Sequence, residues 1–107
     1  MTDEMPELGR FAEPSLCILV SLSDGPKHGY AIMADVERIS GSPLGPGTLY
    51  GALARLERRG LIEALEPEER RRPYRITGVG MATLRAQLEN MNGFAQAALE
   101  RLGETPR

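Results

Sequence analysis

Apolar residues recur along this chain in four blocks of helical or near-helical spacing, parted by clusters of glycine and proline, with two short strand-like runs before the last block. The first block, Ser15-Leu16-Cys17-Ile18-Leu19-Val20-Ser21-Leu22, has Pro14 at a first helical position. Its spacing suits a helix or a buried strand. No second strand-like run lies nearby to pair with it, and Asp24-Gly25-Pro26 stops it sharply, so it is read as a helix. From His28 to about Ile39, Tyr30, Met33, Val36 and Ile39 step by three, with Asp35, Glu37 and Arg38 between them, which predicts a second amphipathic helix. After the turn cluster Gly41 to Gly45, Pro46 and Gly60 bracket a third helix from Pro46 to Arg59 with a buried stripe of Leu49, Leu53 and Leu56. At about 100° per residue that stripe turns Thr48, Gly51, Arg55, Arg58 and, more laterally, Arg59 away from the core. The outward face is small and basic.

Leu61 to Glu66 and Arg72 to Thr77 alternate partly around the charged tip Pro67-Glu68-Glu69-Arg70-Arg71 and predict a two-stranded hairpin. Pro73 lacks an amide hydrogen, which puts its strand at an edge or leaves it unpaired there. In the last block Met81, Leu84, Leu88, Met91, Ala95, Ala98 and Leu102 form an unbroken heptad seam. Thr77 is a natural N-cap for this helix, while Gly78, Gly80 and Gly93 weaken it. A helix of about 25 residues is about 37 Å long and outreaches so small a domain. The seam therefore calls for a partner, most simply a second copy, with packing inside one chain as the alternative. Leu16 and Leu19 of the first helix join the seven seam residues as candidate interface positions.

The length of 107 residues bounds this chain to one domain, and 41% hydrophobic content supplies a core without disulfides. Cys17 and His28 are the only cysteine and histidine, which excludes a Cys/His zinc site and haem attachment. No cofactor is expected. No apolar stretch reaches the roughly 18 residues of a membrane span, and the acidic N-terminus is unlike a signal peptide, so a cytoplasmic protein is expected. The net charge of −2 argues against a nucleic-acid ligand only until it is divided along the chain. Residues 1 to 37 hold two basic and seven acidic groups, residues 38 to 75 eight and five, and residues 76 to 107 three of each. The middle segment is a basic island on an acidic chain.

Three helices followed by a hairpin with an arginine-rich strand is the order of a winged helix-turn-helix, a mainly α fold with a small β-hairpin wing. It divides the chain into an N-terminal arm (1–12), a DNA-binding unit (13–77), a dimerisation helix (78–102) and a tail (103–107). In that geometry the third helix enters the major groove. Gly47, Thr48 and Gly51 permit close approach, Arg55, Arg58 and Arg59 suit phosphates or guanine edges, and Arg70, Arg71, Arg72 and Arg75 of the wing suit phosphates or the minor groove. Lys27, His28 and Tyr30, at the start of the second helix, are candidate phosphate contacts, as is Tyr50.

Asp24-Gly25-Pro26-Lys27-His28-Gly29-Tyr30-Ala31-Ile32, then Pro46 to Ile62 with Gly47-Thr48-Leu49-Tyr50, then Pro73-Tyr74-Arg75-Ile76-Thr77 with Gly80, resemble the PadR family of bacterial transcriptional regulators over about residues 14 to 84. The resemblance implies a winged-helix homodimer that binds double-stranded DNA at an operator of twofold symmetry, usually as a repressor. In some members it implies release by a small aromatic effector. The chain departs from the family at three points: Gly45 stands where many members carry a serine, Pro73 replaces the first of a frequent tyrosine pair, and the tryptophan that lines drug pockets in some small members is absent.

Each of these residues also has a plainer reading. Tyr50 suits packing against the second helix as well as a phosphate; His28 suits a turn; the arginines suit a solvated face balanced by Glu57, Glu66, Glu68 and Glu69; Cys17 suits a core position or a redox sensor. Gly45-Pro46-Gly47 lacks the strand and lysine of a nucleotide loop. Cys17 and His28 lack an orienting acid and an oxyanion motif, so no enzyme is expected. The rival function is a winged helix used for protein interaction or small-molecule sensing, without DNA.

Overall fold

The computed structural model describes residues 13–103. The expected arm over residues 1–12 lies outside them, as does the tail beyond Gly103. Four helices and three strands follow in the order α1 (Pro14–Leu22), β1 (Lys27–His28), α2 (Gly29–Ser40), α3 (Pro46–Arg58), β2 (Ile62–Ala64), β3 (Pro73–Ile76) and α4 (Gly78–Arg101).

The short apolar block is a helix, α1, that begins with Pro14 and buries Cys17, Ile18, Leu19, Ser21 and Leu22. A helix apolar most of the way round has to be covered on most sides, and α2, α3, α4 and β3 all pack on it. Ile32 and Val36 of α2, Leu49, Ala52, Leu53 and Leu56 of α3, Ile62 of β2 and Leu84 of α4 close one core around it. Cys17 is a member of that core. Burial, with Glu13 second, pushes its thiol above the ordinary value of 9.0, away from the thiolate that redox chemistry needs. Glycine stops α2, where Gly41 adopts φ of 76° in the left-handed region. Gly45 offers α3 no side-chain cap, so the start of that helix rests on Pro46.

The sheet corrects the expected hairpin. It has three antiparallel strands in the order β1-β3-β2, with Lys27 opposite Tyr74, His28 opposite Pro73, and Glu63 opposite Arg75. Pro73 thus lies on the central strand, not on an edge. The missing amide is tolerated because Pro73 is the first residue of β3, and its carbonyl still accepts from Leu65 N at 2.9 Å.

Thr77 caps α4, accepting from Gly80 N at 3.0 Å, and donates its own hydroxyl to Gly60 O at 2.7 Å. Gly80 then meets the β2 entry so closely that a Cβ there would collide with the Leu61 carbonyl and sit 2.8 Å from Ile76 Cγ1. Beyond Leu84 the helix leaves the core, and only Gly80 and Leu84 of its 24 residues are buried. The radius of gyration, 15.9 Å, exceeds the about 13 Å of a compact chain of this length for that reason. Two expected interface positions are corrected here: Leu19 and Leu84 are each 5% exposed and belong to the core of a single chain.

A polar cluster ties the end of α1 to the start of α2. The Lys27 ammonium donates to the Ser21 carbonyl and to Asp24 Oδ1 (2.6 Å), and lies 3.9 Å from Asp35 Oδ2. Arg38 also reaches Asp35, at 2.7 Å. The Ser21 hydroxyl, first, pulls the Asp35 carboxyl below its ordinary value of 3.8; burial, next, opposes this, and Arg38 and then Lys27 add to the lowering. The Ser21 Oγ has no partner within strict hydrogen-bond limits, so its contact with the carboxylate is a loose one.

Gly80→Ala forces backbone apart and is expected to cost about 1–3 kcal/mol, whereas Gly93→Ala, with nothing within 4 Å of its Cβ, is expected to gain about 0.5–1 kcal/mol; urea denaturation of both variants distinguishes them. Because the folded Asp35 has a lowered pKa, its contribution is complete above the ordinary carboxylate range and disappears as pH falls through the folded value. Asp35→Asn is therefore expected to lose stability at neutral pH, and the gap to the parent chain should close as urea midpoints are followed below the ordinary 3.8.

Candidate nucleic-acid interface

The stripe that buries Leu49, Ala52, Leu53 and Leu56 fixes which side of α3 faces water. Thr48, Gly51, Arg55, Arg58 and Arg59 are exposed, as the spacing predicted, and so are Gly47 and Tyr50. At Gly51 the helix surface is bare enough that Arg55 folds toward it, with Nη1 3.8 Å from where a Cβ would stand. Tyr50 reaches back to α2: its hydroxyl lies directly against Gly29, in space a Cβ there would occupy, and Leu49 Cδ2 is 3.5 Å from the same point. Only glycine allows the two helices to meet in this way. Over half of the Tyr50 side chain remains exposed, and Tyr30, next to Gly29 in sequence, is 74% exposed. Burial, then Glu57 and Tyr50, push the Tyr74 hydroxyl of β3 above its ordinary 10.0, a sign that α3 and the sheet close on one another here.

The wing turns tightly. Glu68 N donates to Arg71 O at 2.6 Å and Arg71 N returns a bond to Glu68 O at 2.8 Å, while Glu69 and Arg70 take left-handed φ values of 49° and 71°. Two central residues with positive φ match the twist of the strands, but side chains there are strained relative to glycine. All of Arg70, Arg71 and Arg72 are exposed.

Hydrogen bonding divides the expected cations into two groups. Arg75 is bound to Glu63 directly across the β2–β3 pair, its Nε donating to Oε2 at 2.9 Å. Arg72 donates to Leu65 O at 2.9 Å, and Arg71 Nη1 lies 3.2 Å from His28 Nε2. Lys27 is committed to Ser21, Asp24 and Asp35, with a side chain only 20% exposed. By contrast Arg55, Arg58, Arg59 and Arg70 make no ion pair or side-chain hydrogen bond among the described residues. Sequence reasoning did not foresee the pairing of Arg75 with Glu63 or of Lys27 with Asp24 and Asp35. The alternation of Glu63 and Arg75 in the two strand runs was the available signal, and it depends on the register.

On α4 the remaining candidate positions differ in exposure: Met81 (38%), Leu88 (42%) and Leu102 (75%) are exposed, with Phe94 (77%) beside them. Ala95 is exposed as well, and Leu16, Met91 and Ala98 are half-buried. An open groove of about 500 Å³ runs between the end of α1 and this helix, over Met81, Leu84 and Leu88, with Arg85 and Glu89 at its sides. Among the described residues, no cluster of His, Cys, Asp and Glu is arranged to hold a metal ion, and no helix is long and apolar enough to cross a membrane.

Comparison with known proteins agrees with this architecture. A family model described as the transcriptional regulator PadR-like family matches residues 18–86. Among solved structures, a PadR family transcription regulator from hypervirulent Clostridium difficile superposes with a TM-score of 0.73 at 26% identity, covering 83% of this chain and 96% of that one. A transcriptional regulator from Clostridium thermocellum gives 0.71 at 30% identity, covering 81% and 87%. An uncharacterized 37.1 kDa protein in transposon TN4556 of Streptomyces fradiae is 46% identical over 82 residues, which is 77% of this chain. The chain spans 24% of that relative's length. With the helix-turn-helix, the wing and the start of the C-terminal helix inside the matched residues, the chain belongs to the PadR-like family of transcriptional regulators.

Proposed function

We propose that the chain binds double-stranded DNA sequence-specifically, as a homodimer on a pseudo-palindromic operator, and represses transcription there. The observation that carries the reading is the division of cations: the arginines without partners, Arg55, Arg58 and Arg59, lie on the exposed face of the helix that follows the turn. Charges left without protein partners suit phosphate oxygens, and Gly47, Thr48 and Gly51 on the same face leave room for base edges. Arg70 and Arg71 of the wing extend the contact along the backbone, and Arg75, already neutralised by Glu63, contributes little. The repressor sense rests on the family, and a cytoplasmic site of action goes with a DNA ligand.

Dimerisation is part of the same proposal. The exposed Met81, Leu88, Phe94 and Leu102 leave an apolar stretch of α4 that a second copy covers, bringing two recognition helices to half-sites about one helical turn apart. The groove over Met81, Leu84 and Leu88 borders that stretch and suits a small planar aromatic effector.

Selection from a random duplex library is expected to enrich an inverted repeat; enrichment of no sequence at any salt concentration favours the sensor or adaptor reading instead. On the enriched site, Arg58→Ala should flatten the log-log salt dependence by about 0.9 if it neutralises one phosphate, with Arg75→Ala leaving the slope near the parent value. Light scattering should return twice the chain mass for the parent and the chain mass for Leu88→Glu. A parent chain that scatters as a monomer sinks the dimer.

A further inference from the structure

We infer that His28 is a positioning residue for the wing: its neutral ring accepts a hydrogen bond from Arg71 and holds that guanidinium ready for a phosphate. The inference rests on the DNA-binding reading and adds to it a residue that acts through another. It stands on geometry. Arg71 Nη1 lies 3.2 Å from His28 Nε2, a contact between residues 43 apart in sequence. Both ends are fixed by backbone structure. His28 is the second residue of β1, paired with Pro73 on β3, and is also the N-cap of α2, where its side chain makes no capping bond. Arg71 closes the tight wing turn through its mutual bonds with Glu68, and the two residues before it sit at left-handed φ.

An arginine carries no acceptor, so Arg71 must be the donor and His28 Nε2 the acceptor. That fixes the tautomer: the proton of the neutral ring sits on Nδ1. A free imidazole in water prefers the opposite arrangement, so the tautomer reports whether the contact exists. No carboxylate pairs with Arg71 among the described residues, which leaves its charge available to an anion while its direction is set by a neutral partner. Arg75, fixed by Glu63, is the contrast: its direction is set and its charge is cancelled. Holding a long flexible side chain in place before binding removes part of the ordering cost of association, worth roughly two- to tenfold in affinity for one side chain.

The test has two arms. The chain has a single histidine, so long-range proton–nitrogen NMR of the free protein at about pH 8, above the ordinary imidazole range, reads this ring without ambiguity. The parent chain is expected to show the Nδ1–H form and Arg71→Ala to shift toward Nε2–H. An Nε2–H ring in the parent, or one that is unchanged by Arg71→Ala, overturns the inference. In the second arm, affinity is measured on the selected duplex. His28→Leu and Arg71→Ala should each weaken binding by roughly two- to tenfold, their combination should be no weaker than Arg71→Ala alone, and His28→Gln, which restores an acceptor near the Nε2 position, should stay close to the parent. Losses that multiply in the double variant, or a His28→Gln that loses as much as His28→Leu, overturn it. Should no duplex bind, the proposed function falls and the tautomer still decides this inference by itself.

Discussion

The need to cover α1 on nearly every side governs the rest of the molecule. A helix built from Leu16-Cys17-Ile18-Leu19-Val20 has almost no face it can show to water. Three helices and a strand surround it, and each turns its own apolar stripe inward to do so. For α3 this means that Leu49, Leu53 and Leu56 point at α1 and its neighbours, and the opposite side has no choice but to face solvent. The face proposed to meet DNA is therefore set by burial, before any electrostatic consideration applies. Leu84 belongs to the same wrapping, and it anchors the first turns of α4 while the rest of that helix extends beyond the core.

Two close approaches hold the covering elements in register. Gly29 lets the Tyr50 hydroxyl lie against the start of α2, which sets the distance between the two helices of the helix-turn-helix. Gly80 lets α4 lie against the Leu61 carbonyl, which sets the exit of the C-terminal helix from the wing. Between them β3 acts as a central rail, paired with β1 on one side and β2 on the other. Since β1 runs straight into α2, the wing and the first helix of the helix-turn-helix are joined through β3 rather than hinged by a loop. A small sheet of this kind can therefore transmit position from the wing to His28 and on to α2.

Helix positions were legible because two signals coincided: period in the apolar residues and proline or glycine at the ends. Pro14, Pro46, Gly41 and Gly60 each mark a boundary that the structure keeps to within a residue or two. The two-residue β1 was not legible, since Lys27–His28 is too short to carry any period. Its absence from the expected sheet is what made β3 look like an edge. The heptad seam of α4 was legible as a stripe but not as to what fills it: Leu84 and Leu88 obey the same spacing, yet one lies under α1 and the other is 42% exposed. Period tells which side of a helix is apolar and says nothing about where the neighbouring element ends. For the candidate site, exposure on α3 could be read from the stripe, whereas the ion pairs of Lys27 and Arg75 depend on register and on the fold of the 21–35 segment.

Those ion pairs decide which cations of an acidic chain remain uncompensated at its surface. Net charge sums all groups, but a ligand meets the field of those that are exposed and uncompensated. Here the acidic side chains compensate selectively. Asp24 and Asp35 bind Lys27, Asp35 also binds Arg38, and Glu63 binds Arg75. Each of these pairs lies in the α1–α2 corner or on the sheet. On α3, Arg55 and Arg58 have no ion-pair partner among the described residues, although Glu57 lies between them in sequence: residues one or two apart on a helix do not face each other. The spacing that keeps Glu57 from pairing with its neighbours is the same spacing that puts Arg55 and Arg58 beside one another at a three-residue step.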